Sequence, residues 1–81
     1  MAAASEYHGQ VLFGGLPVPG ATVTVTQGTK LLSTVTDGQG LYEFPDLPDG
    51  PWKIRIEMRG FSSLDGAVTV APNTPQTEWE L

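Results

Sequence analysis

Cysteine is absent from the 81 residues, so neither a disulfide nor a thiolate metal site can supplement the hydrophobic core. A single domain of this size buries only about 60–65% of its unfolded surface, which sets its stability at roughly 4–8 kcal/mol. Cations are scarce: Lys30, Lys53, Arg55 and Arg59 stand against nine Asp/Glu, for a formal net charge of −5. Three of the four share one short segment in which they alternate with apolar residues, as on the solvated face of a strand. A phosphate backbone needs clustered Lys/Arg, so nucleic acid is excluded as a partner. Long apolar runs are missing too. No stretch approaches the about 20 apolar residues of a spanning helix, so direct membrane insertion by this segment is excluded. The opening Met1-Ala2-Ala3-Ala4-Ser5 has no basic residue and no apolar run, unlike a signal peptide. Residues 1–6 are expected to form a disordered tail or an artificial start, and 7–81 the folded domain.

Helical periodicity is lacking as well; the hydrophobic period is two almost throughout. Ala21, Val23 and Val25 share one face of their segment, with Thr22, Thr24 and Thr26 on the other. In Trp52–Arg59 the residues Trp52, Ile54, Ile56 and Met58 point inward, and the charges between them face water. Seven strands are predicted, at about 8–13, 20–27, 31–36, 41–45, 51–59, 66–71 and 76–81. Turns separate them. Gly14–Gly20 links the first two, Gln27–Lys30 closes a tight hairpin, and Asp37-Gly38-Gln39-Gly40 forms another turn in which glycine takes positive φ. Pro45–Pro51 is too rich in proline for a ladder and is predicted to be a connection, with Leu47 dropping into the core. Short, regularly spaced strands with strong turns indicate an all-β, seven-stranded antiparallel Greek-key β-sandwich. Its core is expected around Ile54 and Ile56, with Val23, Val25, Tyr42, Phe44 and Leu47.

Five ordered blocks carry a family resemblance: Gly9-Gln10-Val11, Pro17 through Val25, Thr36 through Phe44, Leu47-Pro48-Asp49-Gly50, and Met58-Arg59-Gly60-Phe61. On these the chain resembles the carboxypeptidase regulatory-like domain, of the transthyretin-like (prealbumin-like) group of sandwiches. The resemblance implies a non-catalytic appendage of peptidases, surface-anchored proteins or outer-membrane receptors. The wording Leu16-Pro17-Val18-Pro19-Gly20-Ala21-Thr22-Val23-Thr24-Val25-Thr26 looks most like the bacterial envelope group. It implies an exported parent, periplasmic or outer-membrane-associated, with any targeting signal outside this segment. No ligand-binding residue carries over, because the motif consists of core and turn positions.

The residues that could carry chemistry do not assemble into a set. His8 is the single histidine and has no ligand-spaced partner, so a solvated or capping role is expected. Ser5, Ser33, Ser62 and Ser63 lack the glycine-framed elbow of a nucleophile. Hydroxyisourate hydrolases share the transthyretin-like fold but resemble one another in several histidines and a C-terminal Tyr-Arg-Gly-Ser; this chain ends Thr77-Glu78-Trp79-Glu80-Leu81. Intradiol dioxygenases use two tyrosines and two histidines on iron, which one histidine cannot supply. Asp37, Asp46, Asp49 and Asp65 lie in or beside turns and fail the spacing for calcium, which takes about six to eight oxygens, so turn formation is their expected role. An isopeptide crosslink is rejected because Lys30 and Lys53 are misplaced and the single asparagine, Asn73, lies in a Pro-rich loop.

No enzyme, metal or cofactor is therefore expected. Two functional classes remain: a spacer or docking module for neighbouring domains of a parent chain or for a protein partner, and a carbohydrate-binding module. Trp52 is committed to the core by register. Trp79 with Tyr7 is the one place for a sugar ring to stack, although core or sheet-edge packing is the favoured role of Trp79.

Overall fold

The computed structural model describes residues 4–72 and 74–81. The expectations placed on residues 1–3, as part of a tail, and on Asn73 lie outside them. The strands are β1 (Ala4–Phe13), β2 (Leu16–Pro17), β3 (Thr22–Gln27), β4 (Lys30–Val35), β5 (Leu41–Pro48), β6 (Gly50–Glu57), β7 (Leu64–Val70) and β8 (Thr77–Glu80). One sheet has β1 at its centre, flanked by β2, β5 and β8; the other runs β4-β3-β6-β7. The expected two-sheet sandwich is what forms, with two-residue β2 added inside the predicted Gly14–Gly20 link.

Three details correct the sequence reading. First, β1 begins at Ala4 rather than at about residue 8, because Ala4 and Ser5 pair with Pro48 and Leu47. The Ser5 hydroxyl also donates to Asp49 Oδ1 at 2.6 Å, fixing this end. Second, β5 continues to Pro48 through the segment predicted to be a connection. It tolerates Pro45 and Pro48 because β1 is its one ladder neighbour and the register shifts between Ser5 and Tyr7, where Pro45 and Asp46 oppose Glu6. Third, β8 runs parallel to β1, with Gly9 opposite Thr77 and Val11 opposite Trp79. The chain crosses between sheets after β7 instead of folding back in a hairpin, so the direction of β8 is not forced to alternate.

The interior follows the predicted register. Val23, Val25, Ile54 and Ile56 of one sheet pack against Tyr7, Val11, Tyr42, Phe44 and Leu47 of the other, all buried. Trp52 is buried among them, and its indole N–H donates to the Pro48 carbonyl at 2.9 Å. Leu47 fills the core from the far end of β5, as its spacing predicts. Among the described residues, one polar side chain lies inside with these apolar groups. Thr36 accepts from the Ala21 N–H at 2.8 Å and donates to the Val18 carbonyl at 2.7 Å, so the Val18–Ala21 turn is clamped without an unsatisfied group.

Candidate functional site

The polar atoms of Tyr7, Tyr42 and Trp79 meet at one point. Tyr42 (β5) and Trp79 (β8) flank the central strand β1, and the Trp79 indole N–H donates to the Tyr42 hydroxyl at 2.9 Å. The Tyr7 hydroxyl lies 2.8 Å from that same oxygen. Burial pushes the Tyr42 hydroxyl well above its ordinary range; the Tyr7 hydroxyl adds to the rise, and the Trp79 N–H opposes it. Tyr42 therefore stays a neutral phenol at physiological pH and cannot serve as a base.

Two glycines make this arrangement fit. A Cβ at Gly66 on β7 would stand 2.6 Å from the Trp79 ring, and one at Gly9 would meet the Tyr42 hydroxyl. The structure thus brings Tyr7 and Trp79 together, as members of the packed interior. Tyr7 is fully buried, and Trp79 is partly buried with its N–H committed to Tyr42.

Of the remaining chemistry-bearing residues, Ser5, Asp37 and Asp49 have structural roles in the hydrogen bonds they make. Asp37 Oδ1 accepts from the Gln39 N–H at 2.8 Å and the Leu41 N–H at 3.0 Å, which builds the turn expected of it. Gly40 closes that turn at φ +73°, and its carbonyl accepts the Val11 N–H at 2.8 Å. His8 faces Glu43 across the ladder, and its Nδ1 lies 3.4 Å from Glu6 Oε1 without a hydrogen bond. Among the described residues, no group of three or more His, Cys, Asp or Glu could hold a metal ion.

A surface feature that alternation did not reveal lies at one end of the sandwich. Phe13, the last residue of β1, packs edge-on against Phe61, with ring centroids 4.9 Å apart. Leu16, Pro17, Pro19 and Met58 complete an apolar depression around them. Leu16 is 70% exposed. In the sequence Leu16 stands between Gly15 and Pro17 within the predicted Gly14–Gly20 link, where strand period assigns no face, and that position is the signal that could have marked it. The C-terminal end of the chain lies beside this patch: the Leu81 N–H donates to the Leu12 carbonyl at 2.8 Å, and Glu80 Oε1 accepts the Gly15 N–H at 3.1 Å.

Taken together, the fold and these residues define a β-sandwich module whose polar interior groups serve its own architecture. The family model for the carboxypeptidase regulatory-like domain matches residues 8–78. The chain belongs to that family, one of non-enzymatic β-sandwich modules. Its fold is similar to that of a DUF3823 family protein from Parabacteroides merdae ATCC 43184, with a TM-score of 0.68 at 16% identity over 99% of this chain. The chain spans 45% of that protein's length. No curated protein matches it. No helix among the described residues is long and apolar enough to cross a membrane.

Proposed function

We propose that this chain is a docking module of a larger exported protein, seated against the neighbouring domain of its own polypeptide through the Phe13–Leu16–Phe61 end. The observation that carries this reading is the apolar patch beside Leu81. The main chain leaving β8 is held beside Leu12 and Gly15, so polypeptide that follows this strand passes within reach of Phe13 and Leu16. Contiguous exposed apolar groups rimmed by polar ones mark interaction sites more often than they occur by chance. The similar solved protein is more than twice as long as this chain, which supports a modular setting. The wording of residues 16–26 supports placement in a bacterial envelope, periplasmic or outer-membrane-associated. A sugar platform would need an open aromatic face, and the Trp79 indole is already packed on Gly66.

Leu16→Asp tests the proposal. In the isolated domain it should change stability by no more than about 0.5 kcal/mol, since the side chain is exposed. In the longer polypeptide it should free the domain from its neighbour, read as faster limited proteolysis at the junction. Unchanged proteolysis would count against docking through this end.

A further inference from the structure

The second sheet has one edge with none of the usual protection. Among the described residues, β4 pairs with β3 and has no neighbour on its other side. The Thr36 N–H donates to the Ala21 carbonyl at 2.9 Å, and the Thr36 carbonyl accepts the Gly20 N–H at 3.1 Å. Main-chain direction alternates along a strand, so Thr34, Leu32 and Lys30 also turn their N–H and C=O toward β3. Leu31, Ser33 and Val35 therefore offer theirs to the open side. Both apolar residues of that set are exposed, Leu31 at 65% and Val35 at 58%. The other outer strands are blunted in recognised ways. β5 carries Pro45, Asp46, Pro48 and a bulge; β7 carries Asp65 and Gly66; β8 is four residues long with Glu78 and Glu80. β4 has no proline, glycine or bulge, and its one charge, Lys30, is at its end.

We propose that β4 pairs with β4 of a second copy, antiparallel about Ser33, joining the two second sheets into one. Leu31, Ser33 and Val35 lie on the outward face with the threonines of β3, since they oppose Thr26, Thr24 and Thr22. A two-fold axis at Ser33 sets Leu31 against Val35 of the other copy and Ser33 against its twin, so every open main-chain group on these residues finds a partner. The net charge of −5 does not repel a second copy at this edge, because the acidic excess lies on the other sheet. The strands of the β1 sheet carry Glu6, Glu43, Asp46, Glu78 and Glu80 with no Lys or Arg, whereas those of the β4 sheet carry Lys30, Lys53 and Arg55 against Glu57 and Asp65. The pairing sets Lys30 opposite Thr36 of the other copy and opposes no like charges. It uses up the bare edge of both copies, so it closes as a dimer and does not grow. This surface is separate from the Phe13–Leu16–Phe61 end.

The test is the molar mass in solution between roughly 10 µM and 1 mM, the range in which a small, transient interface is read. The wild type should rise toward twice the mass of one chain. Leu31→Lys with Val35→Lys puts like charges opposite each other and should remain a monomer. Leu31→Lys with Val35→Glu should restore the dimer in a salt-dependent way. Leu16→Asp should dimerise as the wild type does, which keeps this test separate from docking through the other end. A wild type that stays monomeric overturns the proposal. So does assembly beyond two copies, dimerisation of the double-lysine variant, failure of the Lys/Glu variant to dimerise, or loss of the dimer in Leu16→Asp.

Discussion

Gly9 stands opposite Tyr42 in the β1–β5 ladder, and the Tyr42 hydroxyl occupies the space that a Cβ on residue 9 would need. Neither Gly9 nor Gly66 has the positive φ that favours glycine, so what each supplies is room. Gly9→Ala and Gly66→Ala should each destabilise the domain by about 1–3 kcal/mol through overpacking. Gly38→Ala is the comparison, because a Cβ at that position would meet nothing within 4 Å. Urea midpoints should fall for the first two and stay near the wild type for the third.

The Tyr42 hydroxyl gives the domain a pH dependence of definite sign. Its ionisation is raised from an ordinary value of 10.0, first by burial and then by the Tyr7 hydroxyl. The unfolded chain therefore releases this proton more readily than the folded one. The contribution is fully present below about pH 10 and is lost as pH rises above that value. Tyr42→Phe should cost about 1–3 kcal/mol at neutral pH, because the Trp79 N–H and the Tyr7 hydroxyl lose their partner. Between about pH 9 and pH 11 that variant should lose less stability than the wild type. Parallel losses in urea titrations would show that Tyr42 ionises equally easily in both states.

Thr36 holds the turn that leads into β3. Valine keeps the shape of threonine but neither accepts the Ala21 N–H nor donates to the Val18 carbonyl. Thr36→Val should cost about 1–3 kcal/mol. Amide exchange at Ala21 should quicken beyond what the global loss of stability explains, and an unchanged rate would mean that the strand pairing holds the turn unaided.

The register of the core was legible because alternation over Ala21–Val25 and Trp52–Met58 leaves one assignment for each side chain. Strand direction and edges were not. Period two is the same for parallel and antiparallel strands, so nothing in Thr77–Glu80 announces that β8 runs with β1. Pro45 and Pro48 read as loop residues because the sequence does not say that β5 lies at an edge, where proline is tolerated. Packing of Trp79 at the core or sheet edge was legible from its alternation with Glu78 and Glu80, but its bond to Tyr42 depends on two glycines far apart in sequence. Leu31 and Leu32 are adjacent and break the alternation, a trace of the exposed edge that period counting passes over.

Oxidative footprinting of Phe13 and Phe61 tests the docking role most directly. Both rings are exposed in the isolated domain, so both should be modified readily there. In the longer polypeptide their modification should slow several-fold, while Glu43, exposed on β5 and outside the patch, serves as a site whose solvent access is unaltered. Equal modification of Phe13 and Phe61 in the two proteins would contradict docking through this end.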